Sequence, residues 1–399
     1  MHLLPNERID YPDEQAYSPG DQRDDLINQK YIKGDVRIVT EQARYPLNTI
    51  ASMVESEDYK LNPEFQRRHR WDTDKKSRLI ESFIMNVPVP PIFLYEDKYS
   101  HYEVMDGLQR LTAIHDFYRD RFALSGLSEW RELNGRCYSK LPEQVKRGID
   151  RRYLSSIILL QETAKSEEEA QRLKQLVFER LNSGGVTLEP QESRNAIYNG
   201  PLNKLCIALS RNSYLCRMWG IPEPTAEERE HDVVSEELLN NESYRKMEDV
   251  ELVLRFFAYR QRLSQQKGAL KNYLDHYLKV GNLKPKALLN KFKSLFENTI
   301  QLVYDTLGES AFYLYRRRKT SWSWLNRPTI ALYDPLMFVF SQHIADAEQL
   351  IAKRETLKEN MKLFYKSKYD SFEGRNVNRS IMEERNKLLD TFLTEELAR

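Results

Sequence analysis

The sequence predicts an α+β protein, with a mixed α/β N-terminal domain followed by an all-helical C-terminal domain. Two observations predict it. Short β-rich runs alternate with helical periodicity as far as residue 200. Beyond that point apolar residues recur at helical spacing with few β-rich interruptions. At 399 residues, with Tyr 23, Phe 16 and Trp 5, the chain has length and core material for two or three packed units. The boundaries read as a polar tail over 1–45, the mixed domain over 46–200 and the helical domain over 201–399.

Residues 1–45 are rich in Asp, Gln and Pro, show little periodicity, and read as a tail that is partly ordered at best. Leu47, Ile50, Met53 and Val54 then share one face of a short amphipathic helix. Leu61-Asn62-Pro63 breaks it and leads into an arginine-dense loop, Gln66 to Trp71. Asp72 or Thr73 caps a helix whose apolar positions are Leu79, Ile80, Phe83 and Ile84. Val87 to Pro91 stops that helix, because proline lacks the amide donor. Strand-like runs follow at 92–95 and 102–105. Asp106-Gly107 punctuates the chain, and 108–118 resumes helical spacing through Leu111, Ile114 and Phe117. A further strand reads over 155–160. A helix reads over 167–181, with its acidic residues at the start, where the dipole favours them. Helical segments then run at 246–264, 286–307, 330–344, 347–365 and 380–397.

Composition excludes several classes. Lys+Arg 61 against Asp+Glu 60 leaves +1, so any nucleic-acid contact must come from a local patch. Cys137, Cys206 and Cys216 lack the spacing of a disulfide framework or a cysteine zinc site and fit a reducing cytosol. The opening Met1 to Arg8 lacks the basic flank and apolar run of a signal peptide. Runs such as Ile157 to Leu160 are too short to cross a bilayer. The expectation is a soluble cytoplasmic protein without membrane contact. No Gly-Lys dipeptide occurs, which excludes a P-loop.

The most informative segment is Val104-Met105-Asp106-Gly107-Leu108-Gln109-Arg110-Leu111-Thr112. A helix N-terminus presents unpaired amides and partial positive charge, which suits phosphate. Gly107 lets backbone approach closely, Arg110 supplies a planar charged fork, and Asp106 suits a metal or an oriented water. An Asp-Gly turn beside a surface arginine is the alternative at this point. Two more segments bear on it. Pro63 to Trp71 packs three arginines into four residues beside an aromatic. Phe178-Glu179-Arg180-Leu181-Asn182-Ser183-Gly184-Gly185 ends a helix in a polar turn, and the next helix, from Pro190, is unusually polar.

Together these segments resemble the N-terminal domain of GmrSD-type modification-dependent restriction systems, a family with a DGQQR motif on a ParB/sulfiredoxin-like fold. Its FQR…W segment matches Phe65-Gln66-Arg67 with Trp71. Its DGQQRLTTL segment matches Asp106 to Ile114. Its third segment matches Phe178 to Gly185, then Leu188, Glu192, Arg194 and Asn195. The resemblance covers about residues 45–200. It implies binding and hydrolysis of a nucleoside triphosphate with Mg²⁺, in a defence protein acting on foreign DNA. It implies Asp106, Gln109 and Arg110 as catalytic residues, and Gln66, Arg67, Gly107, Arg180, Asn182 and Ser183 as nucleotide contacts. Leu108 stands where the family has its first Gln. A catalytically inactive DNA-binding or regulatory module is the alternative reading.

The HNH nuclease domain that often follows in this family is not visible, because the seven histidines include no closely spaced pair. A nuclease partner chain or a homo-oligomer is the expected assembly. Residues 255–319 hold 14 Lys/Arg against 4 Asp/Glu, whereas 225–251 hold 3 basic against 10 acidic. Arg316, Arg317, Arg318, Lys319 and Trp322 are the candidate DNA contacts, since cations with aromatics grip phosphates and stack bases. The alternative is that the basic segment neutralises the acidic one.

Overall fold

The computed structural model describes residues 3–11, 24–33, 38–61, 68, 71–160, 166–182, 189–231, 234–265, 268–318, 321–372 and 378–399. These divide into two compact units, one of residues 24–182 and one of residues 3–11 with 189–399.

The first unit is mixed α/β. Its sheet has the order β1 (Thr40–Pro46), β5 (Tyr153–Leu159), β3 (Ile92–Lys98), β4 (His101–Asp106), β2 (Tyr59–Lys60). β3 runs parallel to β5 and antiparallel to β4, and β2 adds a short parallel edge. Ile92, Leu94, Leu154 and Ile158 from these strands share one core with Leu47 and Ile50 of the helix Leu47–Glu55. The same core takes Ile80 and Phe83 of the helix Thr73–Met85, and Leu111, Ile114 and Phe117 of the helix Leu108–Tyr118. Asp72 caps the Thr73 helix, accepting from the Lys75 amide at 2.7 Å. Asn86, left-handed at φ 60°, closes it ahead of the prolines.

The expected tail behaves differently in its described parts. Thr40–Pro46 is a sheet strand paired antiparallel with β5. Residues 3–11 join the helical unit, where Ile9 lies in the core and the Glu7 carboxylate accepts from Arg260 Nε at 2.6 Å. Glu7, Ile9 and Tyr11 are held by Arg260, Gln261 and Tyr273, and such long-range pairing leaves no periodic trace.

The second unit is built around the helix Glu248–Gln265, packed by Pro201–Ser210, Ile330–Phe340 and Arg379–Ala398. Its core runs from Leu202 through Phe256, Phe257 and Phe296 to Leu393. One feature corrects the all-helical expectation: a hairpin of β6 (Tyr313–Arg318) and β7 (Ser321–Pro328). Tyr313, Tyr315, Trp322 and Trp324 fall at every second position, the period of a strand. The helix Pro190–Ile197, the end of the 46–200 stretch, packs in this unit rather than with the sheet.

Candidate functional site

Asp106 is the last residue of β4, opposite Phe93 of β3. Gly107 turns the chain at φ 94° and starts the helix Leu108–Tyr118 with no side-chain cap. A Cβ at Gly107 would collide with the Ile92 side chain, so both backbone angle and space require glycine. The free amides of this helix start therefore open directly beside Asp106.

Arg110 lies one turn into the helix. Its Nη2 donates to Asp106 Oδ2 at 2.9 Å and to the Pro91 carbonyl at 3.2 Å. Asp106 keeps 48% of its side chain exposed, while Arg110 keeps 14%. The Nε of Arg110 is buried and has no hydrogen-bond partner. An orphaned buried donor on a cation is costly unless a ligand completes it.

Gln109 turns its oxygen to the backbone amide of Trp71 at 3.1 Å. This bond ties the end of the arginine-dense loop to the DGLQR turn, joining two segments 38 residues apart. Leu108 is 7% exposed, so the departure from the family's Gln falls on a buried position. The helix Glu167–Asn182 is held on β4 by Lys174 and Glu103 at 2.5 Å, with Lys174 also over the Tyr95 ring. Arg180 is exposed in its last turn and Asn182 ends it. Gln66, Arg67 and Ser183 lie outside the described residues.

Farther along the Leu108 helix is a charged cluster the sequence did not announce. His115 places Nε2 3.2 Å from Glu55 Oε1 and Nδ1 3.2 Å from Asp116 Oδ1. Asp116 also accepts from Lys76 at 2.7 Å, and Glu55 from Arg119 at 2.5 Å. Hydrogen bonds from Arg119 and His115 hold the Glu55 carboxyl down to about 2. The partners of His115 and Asp116 come from residues 55 and 76, which no local pattern links to them.

The third motif divides between the units. Glu192 accepts from the Glu189 amide at 2.6 Å in a capping box. Arg194 is 2% exposed and donates to Asp275 at 2.6 Å, Glu251 at 2.8 Å and Gln191 at 3.0 Å. Asn195 accepts from Asn203 at 2.6 Å. Arg194 is thus spent within the fold, whereas Gln191 Nε2 stays buried without a hydrogen-bond partner.

The candidate DNA residues are also separated. Arg317 is exposed on the face that carries Tyr315, Trp322 and Trp324. Trp322 stacks on Tyr315 at 5.8 Å and meets Tyr369 edge-on at 5.4 Å. Arg316 points to the other face, into a cavity, because strand side chains alternate. Arg318 ends β6, and Lys319 lies outside the described residues.

β4, flanked by β3 and the short edge strand β2, thus ends in an acidic residue, and a left-handed glycine leads from it into an uncapped helix that carries a largely buried arginine. Residues 49–199 match the family described as the GmrSD restriction endonuclease, N-terminal domain. It is a domain of restriction systems. Comparisons with curated proteins and with solved structures gave no match. Among the described residues, no helix is long and apolar enough to cross a membrane.

Proposed function

We propose that this chain binds a nucleoside triphosphate at the Asp106–Arg110 turn and hydrolyses it within a restriction system that acts on foreign DNA. The observation that carries the reading is Arg110, held at an uncapped helix start with one guanidinium N–H unused. Without ligand, Asp106 and Arg110 satisfy each other. A phosphate group would take the arginine's donors and the helix amides, which releases the carboxylate.

The released Asp106 is the residue that would hold Mg²⁺. Among the described residues no cluster of three metal-ligating side chains exists. One carboxylate fits an ion that shares its coordination with the substrate's phosphates and water. When bound, the ion neutralises phosphate charge. Gln109 positions the loop through Trp71, while its amide nitrogen remains available to a phosphate oxygen or water. The resemblance adds Gln66, Arg67, Arg180, Asn182 and Ser183 as further contacts. DNA contact is assigned to the hairpin end, where Arg317 is exposed and Arg318 and Lys319 follow. DNA cleavage is assigned to a nuclease partner chain.

The test is turnover of each NTP with Mg²⁺ by purified protein, beside Asp106→Ala. Loss in the variant supports the assignment. Equal activity in the variant, or no binding of any NTP by the unaltered protein, overturns it.

A further inference from the structure

The helical unit contains a cavity of about 1120 Å³ that the nucleotide reading does not use. The hairpin supplies one wall, through Leu314, Arg316, Leu325 and Arg327. The helices Pro190–Ile197, Glu248–Gln265 and Arg379–Ala398 supply others.

Its polar lining is unevenly satisfied. Every carboxylate in it has a partner. Asp334 receives Arg255 and Glu251 faces Arg194 and Arg255. Glu242 and Glu189 face Lys246, and Glu248 accepts from Ser243. Arg316, Arg327 and Arg385, by contrast, form no ion pair among the described residues. Four lining atoms are buried without any hydrogen-bond partner: Gln191 Nε2, Arg316 Nε, Arg385 Nη2 and Thr329 Oγ1. Gln191 is 1% exposed and Arg385 is 2% exposed, so water in bulk does not satisfy them. Three of these atoms are obligate donors and the fourth can donate.

The rest of the lining is apolar and aromatic, with Trp219, Tyr259 and Phe372 among it. Unspent donors and cations without an ion pair call for an oxyanion, and a phosphate offers three terminal oxygens and up to two charges to such a set where a carboxylate offers two oxygens and one charge. The aromatic walls call for an apolar body attached to it.

We infer that this cavity is a second ligand site, which takes a small organic phosphate: a phosphate group on Arg316, Arg385 and Gln191, and an aromatic body against the apolar walls. The inference stands apart from the nucleotide reading, since it uses no residue of the Asp106 turn.

The experiment is calorimetric titration of the full chain with phenyl phosphate, inorganic phosphate and phenol. Phenyl phosphate should bind most tightly, and phenol should not bind. Arg316→Gln removes a half-buried cation and should weaken phenyl phosphate by about tenfold or more. Arg385→Lys keeps the charge but loses the fork and should weaken it in the same direction. Circular dichroism checks that each variant folds, and Arg316→Gln alone decides the matter if Arg385→Lys does not. Failure of phenyl phosphate to bind, or binding unchanged in Arg316→Gln, overturns the inference.

Discussion

Arg110 and Arg194 both lie in the segment that matches the restriction-system family, yet the fold treats them in opposite ways. Arg110 is held loosely against a half-exposed carboxylate and keeps a buried N–H unspent. Arg194 is sealed in the helical unit, with its Nε committed to Asp275 and its Nη1 to Glu251 and Gln191. On the proposed function, one family segment mixes a residue that meets a ligand with a residue that holds the scaffold. Unspent hydrogen-bonding capacity is what separates these two arginines.

The sharpest way to break this comparison is Arg194→Ala. Asp275 and Glu251 would each lose an ion pair with a buried arginine, Glu251 keeping Arg255 at 3.7 Å, and stability should fall by about 3–5 kcal/mol. A denaturant midpoint that barely moves would mean that Arg194 is not the scaffold residue described here. Arg110→Ala should cost about 0.5 kcal/mol or less of stability, because the pair it breaks is an i,i+4 pair with a half-exposed acid.

The next effect concerns Gly107. Gly107→Ala forces a side chain into the left-handed region and against Ile92, at a cost of about 1–3 kcal/mol. Thermal unfolding reads that cost, and nucleotide binding should weaken along with it. Full stability in the variant would show that the turn relaxes freely.

DNA binding sharpens the contrast between the two faces of the hairpin. Arg317→Ala should weaken DNA binding and reduce its salt slope by about one counterion. Arg316→Ala should change the slope less, since that side chain faces the cavity. Equal slopes for the two variants would contradict the assignment of faces.

The smallest effect is one of pH. Glu55 has its carboxyl held down to about 2 in the folded state, first by the Arg119 hydrogen bond. Its unfolded value is about 4.3. The folded state thus binds fewer protons there, so the contribution is fully present above the unfolded value and lost as pH falls through about 2. The melting-temperature gap between the protein and Glu55→Gln should close between about pH 5 and pH 2. A gap that stays constant would exclude this linkage.

Much of this was legible in the sequence, and the reasons are local ones. The Asp106-Gly107 turn and its helix are specified by residues within a dozen positions of each other. Helices at Lys286–Leu307 and Arg379–Ala398 follow directly from apolar spacing. The hairpin is hard to see because Tyr313, Tyr315, Trp322 and Trp324 suit a base-stacking surface as well as a strand face of period two. The bond from Gln109 to Trp71 and the partners of Arg194 at residues 251 and 275 were hidden for a different reason. Long-range pairing leaves no periodic trace, and a buried arginine looks the same in sequence as an exposed one. Leu108 shows the converse: the sequence leaves open whether its departure from the family's Gln bears on nucleotide or on packing, and the structure places it at a buried position.

The central claim is that the Asp106–Arg110 turn is the nucleotide site. Steady-state NTP hydrolysis with Mg²⁺, measured for the protein and for Arg110→Ala at matched folded fraction, tests it most directly. The account predicts a loss in kcat/KM equivalent to about 1.5–3 kcal/mol, with the melting temperature nearly unchanged. Hydrolysis by Arg110→Ala at the rate of the unaltered protein would contradict it.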